Sequence, residues 1–171
     1  MTELAALLSP GEQAQLTPGR YRYHSPIGPL DITVEPRGAV SRVDFGNGRD
    51  ADLSPLDPDG PLARALHAYF RTGSGPEGVE VVLNVTPFQR MVLEAICAIP
   101  PGQVLSYADV AAAIGRPRAA RAVGNALAAN PVPVFIPCHR VVSSQGLGGY
   151  GGGLDKKRLL LDLESRGTTT P

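Results

Sequence analysis

The sequence of 171 residues has only two cysteines, Cys97 and Cys138, too few for a disulfide scaffold, and a reducing compartment would keep both as thiols. It has no CxxC or HExxH pattern. Its three histidines, His24, His67 and His139, lack metal-ligand spacing, so neither a metal nor a cofactor is expected. It has no apolar run of about 18 residues, which excludes a membrane-spanning helix. Met1 to Leu8 carries Glu3 but no Lys or Arg, unlike the basic start of a signal peptide, so the expected location is cytoplasmic. What is present is an ordinary globular composition, 43% apolar and 19% charged. The length suits one large domain or two small ones.

The zero net charge hides an asymmetry. Residues 1–85 hold seven arginines against eleven acids, and residues 86–171 hold nine basic residues against five acids. The halves are therefore −4 and +4, and no acid lies between Asp109 and Asp155. A neutral chain can meet nucleic acid through such a basic half; the alternative is an imbalance on a solvated surface.

The first half reads as three short strands, 20–24, 29–35 and 39–45, with a hairpin turn at Pro36-Arg37-Gly38. A Pro/Asp-rich loop follows over 50–60. Residues 61–71 read as a helix with Leu62, Leu66, Tyr69 and Phe70 on one face, and 79–85 as one more strand. Nothing in this half resembles a catalytic constellation. A boundary near residue 85 predicts an α+β protein: a small N-terminal α/β domain with an antiparallel sheet over 1–85, then a mostly helical C-terminal domain over 86–171.

The second half opens on a helix start: Thr86 to cap, Pro87 at the first position, Gln89 to complete a capping box. Cys97 lies among apolar neighbours and reads as a packed, inert thiol. Pro100-Pro101-Gly102 ends that helix. Ser106 and Asp109 cap a short one, Gly115-Arg116-Pro117 turns the chain, and Arg118 to Asn130 forms the next, a helix-turn-helix pattern. In this last helix Arg118, Arg121 and Asn125 share a face, Val123 and Leu127 supply packing, and most other positions are Ala or Gly. Small residues permit close approach and arginines supply phosphate contacts; a plain Ala-rich packing helix is the other reading. Arg116, Arg118, Arg121 and Arg140 are the candidate phosphate contacts.

Prolines 131, 133 and 137 then exclude helix and regular sheet and hold Cys138 in a stiff segment. A thiol of ordinary pKa needs a base or a positive environment to act as a nucleophile. His139 is adjacent, but neighbouring side chains in an extended chain point apart, so a bridging water is the natural link. The Gly-rich stretch 146–153 formally contains GxGxxG, but it does not follow a strand in a βαβ unit, so it is not read as a dinucleotide site. Its glycines instead allow backbone amides near a flat ligand. The last helix, 155–166, has Lys156, Lys157 and Arg158 near its start and Leu159, Leu160 and Leu163 as its apolar face. Glu164 is either a solvated acid or the residue that orients His139.

The segments TPFQ (86–89), LSYADVA (105–111), RAARAVGNALAANPVPVFIPCHRVV (118–142) and GGYGGGLDKKRLLLDLE (148–164) resemble the O6-alkylguanine-DNA alkyltransferases, in order and over nearly all of 86–171. The first half fits only loosely, as that family's variable N-terminal domain. The resemblance implies single-turnover DNA repair: O6-alkylguanine is flipped out of double-stranded DNA and its alkyl group moves irreversibly to Cys138. His139 would take the thiol proton through a water, Glu164 would hold His139, and Asn130 would bond backbone near the site. Tyr107 would donate a proton to the departing guanine. The backbone at Cys138, Val141 and Gly151 would read the guanine edge, and Tyr150 would wall the pocket. Arg121 would fill the stack left by the flipped base. Ala119, Ala120, Ala122 and Gly124 would let the helix enter the minor groove, flanked by Arg118 and Asn125. No first-half cysteine exists to hold the zinc that some relatives carry. Gly151 stands where some have serine, which implies a roomier pocket. The expected protein is a monomer that contacts no membrane. A non-catalytic damage binder would lack the acceptor Cys138. A helix-turn-helix regulator would leave the PCHR segment unexplained, and a cysteine hydrolase would leave the Arg/Ala helix idle.

Overall fold

The computed structural model describes residues 16–46 and 53–167. Met1 to Leu8 and the start of the 50–60 loop lie outside the described residues. Three strands form an antiparallel meander, β1 (Gly19–Ser25), β2 (Gly28–Val34) and β3 (Val40–Phe45). Leu30, Ile32 and Val34 alternate into the core. The β2–β3 turn closes where Gly38 donates to Glu35 O, with φ +84° at Gly38. A two-residue strand, β4 (Ser54–Pro55), adds a parallel edge to β1, so the sheet order is β3-β2-β1-β4. This short strand lies inside the segment expected to be loop.

Residues 79–85 do not form the predicted strand. They make one isolated bridge, Val40 with Val81, in which Val40 N–H donates to Glu80 O and Val82 N–H to Val40 O. The reason lies in β3, whose outer edge is divided. One end meets Glu80 and Val82; further along, Val43 N–H donates to Pro131 O at 2.8 Å. The proline segment of the second half thus occupies the edge a longer strand would need.

Helix α1 (Pro61–Thr72) buries Leu62, Leu66 and Tyr69, close to the expected face. It ends at Gly73, where φ is +74° and an added Cβ would stand 2.9 Å from Glu164 Cα and Leu163 O. Glycine is required there by both conformation and close approach. Helix α2 (Pro87–Cys97) carries the Thr86–Gln89 capping box. Then come β5 (Leu105–Ser106), α3 (Tyr107–Ala113) with its Ser106–Asp109 capping box, and α4 (Ala120–Ala128). Helix α4 is shorter than predicted. Arg118 belongs to the preceding turn, in which Ala119 N–H donates to Arg116 O, and Pro131 disfavours helical geometry at Asn130.

Cys138–Arg140 form a 3₁₀ turn, followed by β6 (Val141–Val142), which pairs in parallel with β5. The last helix is α5 (Leu154–Gly167). Its buried stripe is Lys157, Leu160 and Glu164, whereas Leu159, expected inside, is 51% exposed. One apolar cluster runs through both halves, from Leu30, Ile32 and Leu66 to Ile96, Val123 and Ile136. The architecture is α+β, as the sequence predicts. No helix among the described residues is long and apolar enough to cross a membrane.

Candidate active site

The strap from α4 to the 3₁₀ turn is held by Asn130. Its Oδ1 accepts from Val132 N–H at 3.1 Å, and its Nδ2 donates to Ile136 O at 3.0 Å. Between these anchors Val134 takes φ +77°, a rare conformation for a β-branched residue, in a loop closed by Ile136 N–H to Val132 O. The strap delivers Cys138, 7% exposed, at the start of the turn. Burial pushes its thiol above the ordinary value, against the opposing influence of Asn130 and Lys157. A thiol so placed stays protonated at neutral pH and needs a base.

The chain at Cys138 is not extended as the sequence reading assumed; a 3₁₀ turn sets successive side chains about 120° apart. His139 is fully buried, and its Nε2 lies 2.7 Å from Glu164 Oε1. Burial lowers the His139 pKa, outweighing the pull of Glu164. Burial would raise Glu164, but hydrogen bonds from His139 and Arg140 bring it down to about 2. At neutral pH the pair is therefore a neutral imidazole donating from Nε2 to a carboxylate. Nδ1 is then left as the acceptor nitrogen, and it has no protein partner. Of the two readings of Glu164, the solvated one is excluded, because its side chain is 0% exposed.

Arg140 is corrected as a phosphate contact. It is buried, donating from Nε to Glu164 Oε2 at 2.8 Å, from Nη2 to Oε1 at 2.9 Å and from Nη1 to Ile99 O at 2.6 Å. Glu164 Oε1 also accepts from Tyr69 Oη at 2.9 Å. The first half thus reaches the site through Tyr69. Tyr69 carries no sequence signal beyond its place on an apolar helix face. Arg140 is adjacent to the Cys-His pair, and that adjacency was its one clue.

Lys157, expected in a basic cluster, is fully buried and donates to Val141 O at 2.6 Å, to Gly149 O at 3.1 Å and to Leu147 O. It ties β6 to the Gly-rich loop. Val141 N–H is committed to Cys138 O. Tyr107, at the start of α3, accepts from Gly149 N–H at 3.1 Å. An added Cβ at Gly148 would stand 2.7 Å from the Tyr107 hydroxyl, so glycine lets the loop lie on that ring.

A pocket of about 430 Å³ opens at Cys138. Asn130, Tyr150 and Gly151 line it, whereas His139, Tyr107, Val141 and Arg121 do not. The Tyr150 hydroxyl is buried without a protein partner, and burial raises its pKa. Four further lining residues, Arg42 to Phe45 of β3, come from the first half. Along α4 and the turn before it, Arg118, Arg121, Ala122 and Asn125 are exposed, Ala119, Ala120 and Gly124 half-buried, and Val123 and Leu127 buried, Leu127 against the pocket. Cys97 is packed, its thiol pushed up to about 12 mainly by burial.

Residues 87–166 match the family described as 6-O-methylguanine DNA methyltransferase, DNA binding domain. A methylated-DNA–protein-cysteine methyltransferase of Mycobacterium bovis is 48% identical over 145 residues, 82% of this chain and 88% of that protein. One from Methanosarcina barkeri is 40% identical over 147 residues, 82% of this chain and 92% of that protein. Among solved structures, Mycobacterium tuberculosis OGT in complex with DNA matches with a TM-score of 0.75 and 37% identity, covering 86% of this chain and 93% of that one.

Proposed function

The chain belongs to the methylated-DNA–protein-cysteine methyltransferase family, and from that premise we propose that it repairs DNA by moving the alkyl group of O6-alkylguanine to its own Cys138. The observation that carries this reading is a buried cysteine at an open pocket, followed directly in the chain by His139, whose ring is held by Glu164. The thiol proton passes through a water to His139 Nδ1, while Glu164 fixes the Nε2–H tautomer. The sulfur attacks the alkyl carbon in line, and the carbon–O6 bond breaks. The electron pair goes to the guanine, which takes a proton from Tyr107. The product is a thioether without a good leaving group, so each molecule acts once.

Asn130 keeps the strap, and with it Cys138, in place. The guanine edge meets the backbone at Cys138, Val141 and Gly151, with Tyr150 as the wall. Double-stranded DNA meets the α3–turn–α4 unit through the minor groove, where Ala119, Ala120, Ala122 and Gly124 allow close approach. Arg121 fills the gap left by the flipped nucleotide, beside Arg118 and Asn125. Residues 1–85 serve as scaffold and pocket wall, and 86–171 carry the chemistry and the DNA contacts.

Incubation with a duplex containing O6-methylguanine tests this. The intact mass of the protein should rise by one methylene, and Cys138→Ala should bind the duplex without gaining mass. An unchanged wild-type mass, with steady hydrolysis of simple esters, would favour a cysteine hydrolase instead.

A further inference from the structure

The pocket extends past what a methyl group needs. Its volume of about 430 Å³ lies in the roughly 300–1,000 Å³ range filled by drug-sized molecules, and a methylated purine is only a fragment of that size. Small residues keep it open on the second-half side: Ala128 and Ala129 line it, and a Cβ added at Gly151 would meet nothing within 4 Å. Strand β3 supplies another part of the lining, Arg42 to Phe45. The Val43 N–H to Pro131 O bond fixes this strand against the strap that carries Cys138. Phe45 stands edge-on to Tyr150, with ring centroids 5.6 Å apart, and Lys156 Nζ lies 5.9 Å from the Phe45 centroid. On the rim Arg42 and Asp44 form a bidentate pair at 2.6 and 2.9 Å, with side chains 62% and 49% exposed.

In-line attack requires sulfur and the leaving oxygen on opposite sides of the reacting carbon. Whatever that carbon carries must project sideways, across the attack axis. A methyl group carries nothing. A larger substituent needs a seat, and beside the small residues the strand from the first half supplies four residues of the lining. We infer that β3 is a specificity-determining wall, with Phe45 as its aromatic corner and the Arg42–Asp44 pair as its rim, and that it sets how large an O6 substituent the pocket admits. The inference rests on the alkyl-transfer reading. The transfer itself is unchanged: sulfur bonds the substituted carbon, the carbon–O6 bond breaks, and the thiol proton is balanced by protonation of the departing guanine.

The test compares single-turnover rates on duplexes carrying O6-methylguanine and O6-benzylguanine, for the wild type, Asp44→Trp and Arg42→Trp. Both positions are exposed on a strand, so bulk there is compatible with folding, and the methyl rate of each variant reports its integrity. The wild type should consume both duplexes. In at least one variant the benzyl-to-methyl rate ratio should fall fivefold or more. Transfer of methyl but not benzyl by the wild type overturns the inference alone, as does a smaller change of ratio in both variants. Transfer from neither duplex overturns the alkyl-transfer reading and the inference with it.

Discussion

Glu164 gathers the buried charge of the site, accepting from His139, Arg140 and Tyr69. A carboxyl held at about 2 against an ordinary 4.5 contributes about 3 kcal/mol above pH 4.5. That contribution is lost as pH falls from 4.5 toward 2. His139 acts with the same sign: burial holds its pKa below 6.5, so protonation favours the unfolded chain and stability starts to decline below that pH. Thermal melts between pH 7 and 3 should show a Tm that falls on acidification, and Glu164→Gln should flatten the acid part of that curve. Equal steepness in both proteins would contradict the assignment. The same variant should slow alkyl transfer while leaving duplex affinity unchanged, because in the proposed reaction the Glu164 carboxylate acts on the thiol through His139. Removing Arg140 leaves a buried carboxylate short of its cation, a loss of about 3–5 kcal/mol; Arg158→Ala, on the exposed side of α5, should stay within about 0.5 kcal/mol.

At the scale of elements, α4 presents arginine and small residues outward, and this face sets the DNA prediction. With Arg140 buried, the exposed phosphate candidates are Arg116, Arg118 and Arg121. The slope of log K against log salt should be about −3; a slope near zero would remove the basic face from the interface. Under the proposed role, in which its side chain only offsets unstacking, Arg121→Ala should impair repair in duplex DNA far more than reaction with free O6-benzylguanine, and equal losses would contradict that role. Where α1 meets α5, Gly73→Ala combines a positive φ with a Cβ 2.9 Å from backbone. It should cost more than about 1 kcal/mol and, by displacing Glu164, slow the thiol as well. These contacts mark what the sequence could and could not reveal. Capped helices such as α2 and α3 were legible because Thr86, Gln89, Ser106 and Asp109 are local signals. The inner face of α5 was not. Lys157, Leu160 and Glu164 recur at helical spacing, but two of the three are charged, and periodicity counted over apolar residues put Leu159 inside instead. The segment 79–85 read as a strand from its β-branched residues, but the edge of its partner is taken by Pro131, a contact that no local pattern records.

Across the whole molecule, the Cys138–His139 pair and its proline strap were readable from residue types and order. The parts supplied by distant chain were not: Tyr69 is 95 residues from the carboxylate it bonds, and β3 reaches the pocket only through tertiary packing. The proposed reaction consumes the protein, with Cys138 as the sole acceptor. Its most direct test mixes the protein with excess O6-methylguanine duplex, follows intact mass to completion, and locates the label by peptide fragmentation. One methyl group per chain should be found, on the peptide containing Cys138, after which demethylation stops. Continued turnover beyond one equivalent, or label on Cys97, would contradict it.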